Sequence, residues 1–184
     1  MDDFAGREFT SLRETIRSRG GARPIVFLIG LATWAVLLVG ILALLANPIA
    51  SVVPLLVLLG TFEAVRSLHL GVERIGRYAQ VFFEEPSSGS APTAAPAWEH
   101  TAMVFGPSLP GAGVHPFFQP VFILATGVNL LAVWLPGPLI VEAVPLVVPH
   151  LAFVLWMLYC DRAMRRQRAS ELARFREIRN SLAQ

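Results

Sequence analysis

The sequence contains no lysine, and all fifteen of its basic residues are arginine. Schiff-base catalysis needs a lysine amine, so a retinal- or pyridoxal-type lysine is excluded. The phosphate-binding loop of nucleotide hydrolases also needs a lysine, and no glycine pattern here suggests such a loop. The single cysteine, Cys160, excludes an internal disulfide or a thiol redox pair. These absences exclude particular chemistries. We expect a protein that is not an enzyme, with no catalytic residues and no cofactor.

Charged residues are scarce, and their absence is concentrated in long runs. They form 15% of the chain, against about 25% in an average soluble protein, while 54% of the residues are hydrophobic. A helix of about 20 apolar residues crosses the ~30 Å hydrocarbon core of a bilayer. We predict an all-α, polytopic membrane protein with four transmembrane helices arranged as two hairpins. The apolar runs are 25–46, 49–62 with an extension to about residue 70, 117–135 and 139–160.

Glycine, proline and charge divide the chain into five segments. Residues 1–23 are predicted to form a cytoplasmic amphipathic helix that ends at Gly20-Gly21, before Pro24 opens the first span. The other segments are a first hairpin at 24–85 whose second helix extends into the cytoplasm, a cytoplasmic linker and Gly/Pro-rich loop at 86–116, a second hairpin at 117–160, and a basic amphipathic C-terminal helix at 161–184.

Arginine is distributed asymmetrically about the four predicted spans. Five arginines precede the first span and seven follow the fourth, whereas the short turns 47–48 and 136–138 carry none. Because cytoplasmic loops are enriched in arginine and lysine, both termini are predicted to lie in the cytoplasm. The segment 84–116 is an exception, since it holds three acids and no arginine. The lack of lysine and of disulfides fits a bacterial inner membrane.

A polar stripe runs along a predicted helix that continues the second apolar run without a break. Its polar residues recur every three or four positions, so they share one helix face. Charges that enter a membrane either serve a function or contact other helices. Glu63 can be a protonatable site in an ion path, or it can pair with the arginine at i+3 and lock helix packing. The candidate functional residues of this stripe are Glu63, Arg66, His69, Glu73 and Arg77.

Two polar residues, Asn129 and His150, are predicted near the middle of the third and fourth spans. His150 follows Pro149, and a proline in mid-span frees a backbone carbonyl that an imidazole can satisfy. Asn129 can hydrogen-bond across the bundle. For His150, a structural role and a role as a proton relay or ligand remain alternatives.

Histidine spacing gives little support for a metal or a haem. His69 and His150 differ in predicted depth by about 10 Å, whereas one haem needs both axial ligands at the same level. His69 and Glu73, four residues apart, can supply two metal ligands, with others from the loop. No spacing matches a strong metal motif, so we expect no metal. The loop residues considered as further ligands are Glu99, His100 and His115.

The basic C-terminal helix has two interpretations. It can lie on an anionic membrane surface, or it can pack against the acidic residues of the 63–85 helix. No nucleic-acid reading motif accompanies its charge, so nucleic acid is not expected as a partner. The residues predicted to bind lipid or a partner are Arg162, Arg165, Arg166 and Arg168.

Two functional hypotheses follow from these patterns. In the first, the chain is a non-catalytic membrane subunit or scaffold that interacts through the charged 63–85 helix and the basic C-terminal helix. Its partners are membrane lipids and a membrane protein or further copies of itself. In the second, it is a small oligomeric proton or ion channel or transporter. The stripe of Glu63, Arg66, His69 and Glu73 then lines a vestibule, and symmetry-related copies complete the pore.

Overall fold

The computed structural model describes residues 2–44, 48–85, 118–134, 137, 140–182 and 184. These residues are almost entirely helical and include no strand, which confirms the all-α class. The elements in chain order are α1 (Asp2–Leu44), a 3-10 turn (Pro48–Ser51), α2 (Val52–Ala79), a π-helical turn (Gln80–Glu84), α3 (Gln119–Trp134) and α4 (Ile140–Leu182).

Several of these helices are long and apolar enough to cross a membrane. Three qualify by length and composition, namely Gly6–Leu44, Ile49–Glu84 and Ala143–Leu182. Helix α3 has 16 described residues, which span about 24 Å against the ~30 Å of a bilayer core. The helices therefore indicate a membrane protein in which three to four helices can cross the bilayer.

The expected end of the N-terminal helix at Gly20-Gly21 is wrong. Helix α1 continues through both glycines and through Pro24 to Leu44. A glycine costs a helix only about 1 kcal/mol relative to alanine, and packing on either side overrides that cost. Such packing exists, since Phe9 contacts Phe83 on one side of the glycines and Phe27 contacts Phe122 on the other.

The residues form two compact units, and each gathers segments distant in sequence. The apolar unit comprises the described residues of 22–67 and 118–162, and the charged unit comprises those of 2–21, 68–85 and 163–184. Helices α1, α2 and α4 each contribute residues to both units. The predicted linker and loop at 86–116 lie outside the described residues.

An aromatic cluster forms the core of the apolar unit. Phe62 is fully buried, and its ring centroid lies 5.5 Å from that of Phe122 and 5.9 Å from that of Phe153, both edge-on. Phe27 joins from α1, 5.5 Å from Phe122. Edge-to-face aromatic pairs add about 0.5–1.5 kcal/mol each beyond the area they bury. The cluster takes one ring from each of the four helices and therefore holds them together.

Phe118 starts helix α3 from an unusual backbone conformation. Its φ angle is +50°, in the left-handed region that residues other than glycine rarely adopt. Its carbonyl accepts the N–H groups of Val121 and Phe122, at 3.0 and 3.2 Å. Its ring stacks on Phe27 with a centroid distance of 4.3 Å. The stacking and the two hydrogen bonds offset the local strain.

Half-buried aromatic rings also pack together in the charged unit, with polar groups around them. Tyr78 packs edge-on against Phe175 of α4, with ring centroids 5.9 Å apart. Its hydroxyl donates to a carboxylate oxygen of Glu8 at 3.0 Å. Phe9 of α1 contacts Phe83 of the π-helical turn at 5.3 Å. Tyr78 thus links α2 to both other helices of this unit.

Helices α1 and α2 approach closely at Gly30 in the apolar unit. A Cβ atom at this position would overlap the side chain of Thr61. We expect Gly30→Ala to lower the free energy of unfolding by about 1–2 kcal/mol, because overpacking forces neighbouring atoms apart. Titration of the detergent-solubilised protein with sodium dodecyl sulfate, followed by circular dichroism, measures this change.

Gly40 provides the matched control on the same helix, since a Cβ atom there meets nothing within 4 Å. Gly40→Ala should leave the unfolding midpoint unchanged or raise it slightly, because alanine favours the helix. Equal destabilisation by the two substitutions would show that the close contact at Gly30 does not hold α1 against α2.

Candidate functional site

A closed hydrogen-bond network surrounds Asn129 inside the apolar unit. The indole N–H of Trp34 donates to Asn129 Oδ1 at 3.2 Å. Asn129 Nδ2 donates to the Ser51 carbonyl at 3.1 Å and lies 2.8 Å from Nε2 of His150. Asn129 is fully buried, and the other three residues are at most 9% exposed. This network, called the Asn129 clasp below, connects α1, the 3-10 turn before α2, α3 and α4.

The chemistry of its partners fixes the orientation of the Asn129 amide. An indole N–H can only donate and a backbone carbonyl can only accept, so Oδ1 must face Trp34 and Nδ2 must face Ser51. The second N–H of Nδ2 then donates to His150, whose Nε2 must be unprotonated. His150 Nδ1 therefore carries the proton and donates to the Leu146 carbonyl at 2.6 Å. The clasp thus requires a neutral imidazole in a single tautomer.

The structure brings together Asn129 and His150, the two mid-span residues predicted from the sequence. The other residues to which they hydrogen-bond were not predicted. The carbonyl that Pro149 frees is that of Pro145, four residues earlier, whereas the imidazole bonds to Leu146. Trp34 and Ser51 were missed. A tryptophan in mid-span was the available signal, because a buried indole N–H needs an acceptor.

Glu63 and Arg66 form the ion pair that one sequence interpretation proposed. Arg66 donates through Nε and Nη2 to Glu63 Oε2, at 2.9 and 2.6 Å. The other carboxylate oxygen accepts the indole N–H of Trp156 at 2.6 Å. The guanidinium also lies 5.8 Å from the centre of the Trp156 ring. Both charged side chains are about one-third exposed, so this cluster lies at the surface of the apolar unit.

Arg77 is the most buried charge in the described residues, with only 1% of its side chain exposed. It donates to Glu73 at 2.9 Å along α2, and its other amino group forms a very short contact with Glu171 of α4. Glu171 also accepts from Arg74 at 3.2 Å and from Gln167 at 2.6 Å. This ion-pair cluster fixes the C-terminal part of α4 to α2 within the charged unit.

A second set of ion pairs lies around Glu85, just after the π-helical turn. Glu85 accepts from Arg176 at 2.7 Å and from Arg179 at 2.9 Å. Burial raises the pKa of the Glu85 carboxyl, but the hydrogen bonds and charges of Arg176 and Arg179 outweigh burial and hold the pKa below its ordinary value. Glu85 therefore stays ionised at neutral pH. Arg179 also donates to the Val81 carbonyl at 3.0 Å, which helps to satisfy the irregular backbone of this turn.

His69, the remaining member of the predicted stripe, is buried with 8% of its surface exposed. It lies one helical turn before Glu73 on α2. Within the described part of the chain, no three His, Cys, Asp or Glu residues are placed to hold a metal ion. The loop residues considered as further ligands, Glu99, His100 and His115, lie outside the described residues.

The four arginines predicted to bind lipid or a partner follow the apolar part of α4 directly. Arg162, Arg165 and Arg166 are exposed, and Arg168 is half-buried. Arg165 and Arg168 also interact with other residues of the chain. Binding of lipid or of a partner by these residues stays a prediction.

For the basic C-terminal helix, the sequence left two alternatives, and one of them was packing against the acidic residues of the 63–85 helix. In the structure, Glu171, Arg176 and Arg179 of α4 meet Arg77 and Glu85. The sequence did not identify Glu171 as the centre of the cluster, because a carboxylate in a basic helix is expected to pair with a neighbouring arginine of the same helix.

Comparison of the chain with protein-family models, with curated proteins and with solved structures found no match.

Proposed function

We propose that this chain is a non-catalytic, multi-pass membrane subunit or scaffold. The observation that carries the proposal is the Asn129 clasp. Both N–H groups and the oxygen of Asn129 are engaged by Trp34, Ser51 and His150. A transport path or substrate site at this depth needs polar groups with free hydrogen-bonding capacity, whereas a scaffold needs these groups satisfied.

The ion pairs of the charged unit support the same role. Arg77 is held between two carboxylates, and Glu85 between two arginines. Removal of one partner of such a pair leaves an uncompensated charge, so these groups are committed to each other and are poorly suited to bind a mobile ion. The charged 63–85 segment and the basic C-terminal helix, both assigned to interactions from the sequence, therefore interact first with each other. Arg162 and Arg166 remain exposed for anionic lipids or an acidic partner.

The proposal includes a topology. Four spans as two hairpins, with α3 as the shortest, place both arginine-rich termini on one side of the membrane. The positive-inside rule makes that side the cytoplasm. The arginine-only composition fits a bacterial inner membrane. A partner is then a further membrane protein or another copy of this chain.

Flux and composition measurements together test the scaffold role. The purified protein in liposomes should conduct protons and monovalent cations no faster than empty liposomes do. Purification from native membranes in a mild detergent, followed by mass spectrometry of the intact complex, should show a partner or further copies at fixed stoichiometry.

The channel hypothesis makes the opposite prediction. A flux above that of empty liposomes would overturn the scaffold role if Glu63→Gln or His69→Ala abolishes it while the protein stays folded and assembled. Arg174→Gln is the matched control, since Arg174 is highly exposed and, among the described residues, pairs with Glu177 on the same helix.

A further inference from the structure

Arg66 has donor capacity that its neighbours do not use. Its Nε and Nη2 atoms bond to Glu63, and its guanidinium faces the Trp156 ring. Among the described residues, Nη1 has no hydrogen-bond acceptor, although its two N–H groups are strong donors. An arginine at the surface of an apolar unit needs an acceptor for these groups, because unsatisfied polar groups are costly away from water.

The part of α4 that carries Trp156, the ring facing Arg66, has the exposed apolar side chains of a lipid-facing surface. On α4, Leu151 and Leu155 are 54% and 65% exposed, and Trp156 and Tyr159 are 40% and 60% exposed. Trp156 and Tyr159 stack on each other, with ring centroids 5.6 Å apart. Exposed tryptophan and tyrosine side chains are enriched where the membrane meets water. Trp156 lies five residues before Asp161, about 7.5 Å along the helix, so the headgroup region is within reach of Arg66.

We infer that Arg66, Glu63, Trp156 and Tyr159 form a binding site for a zwitterionic phospholipid headgroup of the phosphoethanolamine type. The lipid phosphate accepts hydrogen bonds from Arg66 Nη1. The ammonium group donates to Glu63 Oε1, which uses only one of its acceptor positions for the Trp156 indole. The exposed face of Tyr159 gives the same ammonium a cation–π contact.

Charge balance selects the zwitterionic headgroup over an anionic one. The Glu63–Arg66 pair has no net charge, so the site offers no overall attraction to a lipid with a net negative charge. It offers instead one donor and one acceptor side by side, which matches the phosphate and ammonium of one headgroup. This lipid-binding role is independent of the scaffold role and is measured on the isolated chain.

Lipid binding to the full-length protein in detergent tests the inference. Native mass spectrometry measures the Kd of phosphatidylethanolamine and of phosphatidylglycerol with identical acyl chains. Because the exposed Arg162 and Arg166 can bind phosphatidylglycerol elsewhere on the chain, both lipids are compared on an Arg162→Gln/Arg166→Gln background, where we expect phosphatidylethanolamine to bind more tightly. Arg66→Gln should raise its Kd about tenfold or more, because a charge-assisted hydrogen bond is lost. Glu63→Gln leaves a net positive site and should reverse the preference in favour of phosphatidylglycerol.

Arg174→Gln is the control, because Arg174 also pairs with a carboxylate three residues away but is 67% exposed in the charged unit. It should leave both Kd values unchanged. Circular dichroism and gel filtration establish that each variant is folded, and the reversal expected for Glu63→Gln does not depend on Arg66→Gln being stable.

Three results would overturn the inference. The first is equal loss of binding in Arg66→Gln and Arg174→Gln. The second is tighter binding of phosphatidylglycerol than of phosphatidylethanolamine on the Arg162→Gln/Arg166→Gln background. The third is displacement of the lipid by millimolar inorganic phosphate, which would identify a site for the free anion rather than for a headgroup.

Discussion

Asn129→Leu should be the most destabilising single substitution in the apolar unit. Leucine has the same branched skeleton of four side-chain heavy atoms as asparagine but leaves the Trp34 indole, the Ser51 carbonyl and His150 Nε2 without their partner. Interhelical hydrogen bonds in membranes contribute about 0.6 kcal/mol on average and up to about 1.7 kcal/mol each. The loss of three should lower the free energy of unfolding by about 2–5 kcal/mol. Titration with sodium dodecyl sulfate, followed by circular dichroism, measures this loss.

Thr126→Val is the matched control for this prediction. Thr126 is on the same helix and is 1% exposed, but in the described part of the chain its hydroxyl donates within its own helix, to the Phe122 carbonyl one turn earlier, at 2.7 Å. Its loss should cost less than about 1 kcal/mol, because no other helix is involved. A double-mutant cycle between Asn129→Leu and His150→Leu should give a coupling energy clearly different from zero. Additive effects would contradict the clasp.

Arg77→Met should loosen the charged unit. Removal of one partner of a buried ion pair costs about 3–5 kcal/mol, because the remaining charge is left uncompensated. Here the two carboxylates keep some access to water, since Glu171 is 16% and Glu73 is 32% exposed. We therefore expect a cost of about 2–3 kcal/mol. Hydrogen exchange should show it as a loss of protection in residues 68–79 and 163–182 by about thirtyfold to more than a hundredfold.

Arg74→Met isolates the contribution of burial. Arg74 donates to the same carboxylate, Glu171, but its side chain is 59% exposed. Exposed ion pairs contribute at most about 1 kcal/mol, so protection should change little. If the two variants lose protection equally, the stability of the unit does not come from the buried position of Arg77.

Local rules located the apolar helices well but placed one boundary wrongly. The uncharged runs predicted helices that the structure contains at Asp2–Leu44, Val52–Ala79, Gln119–Trp134 and Ile140–Leu182. The glycine pair at 20–21 predicted a helix end that does not exist. Glycine is a weak signal inside a helix whose neighbouring turns are packed, because tertiary contacts exceed a cost of about 1 kcal/mol.

In the candidate sites, contacts within one helix could be predicted from the sequence, whereas contacts between helices could not. Glu63 and Arg66 are neighbours on one helix, so their pairing followed from spacing alone. Trp156, which completes their cluster, is 93 residues away in sequence from Glu63. No periodicity relates residues on different helices, so the third member could not be predicted. The same holds for Glu171, which is 94 residues from Arg77.

The sequence by itself determined the helical class, the apolar segments and the polar residues that must find partners, because these properties depend on composition and on the 3.6-residue period of one helix. Only the tertiary structure decided which partners they found. Asn129 meets Trp34, Ser51 and His150 because α1, the 3-10 turn, α3 and α4 pack together and bring these residues within hydrogen-bond distance. Hydrogen bonds act over about 3 Å, so the identity of a partner depends on how helices pack and not on spacing along the chain.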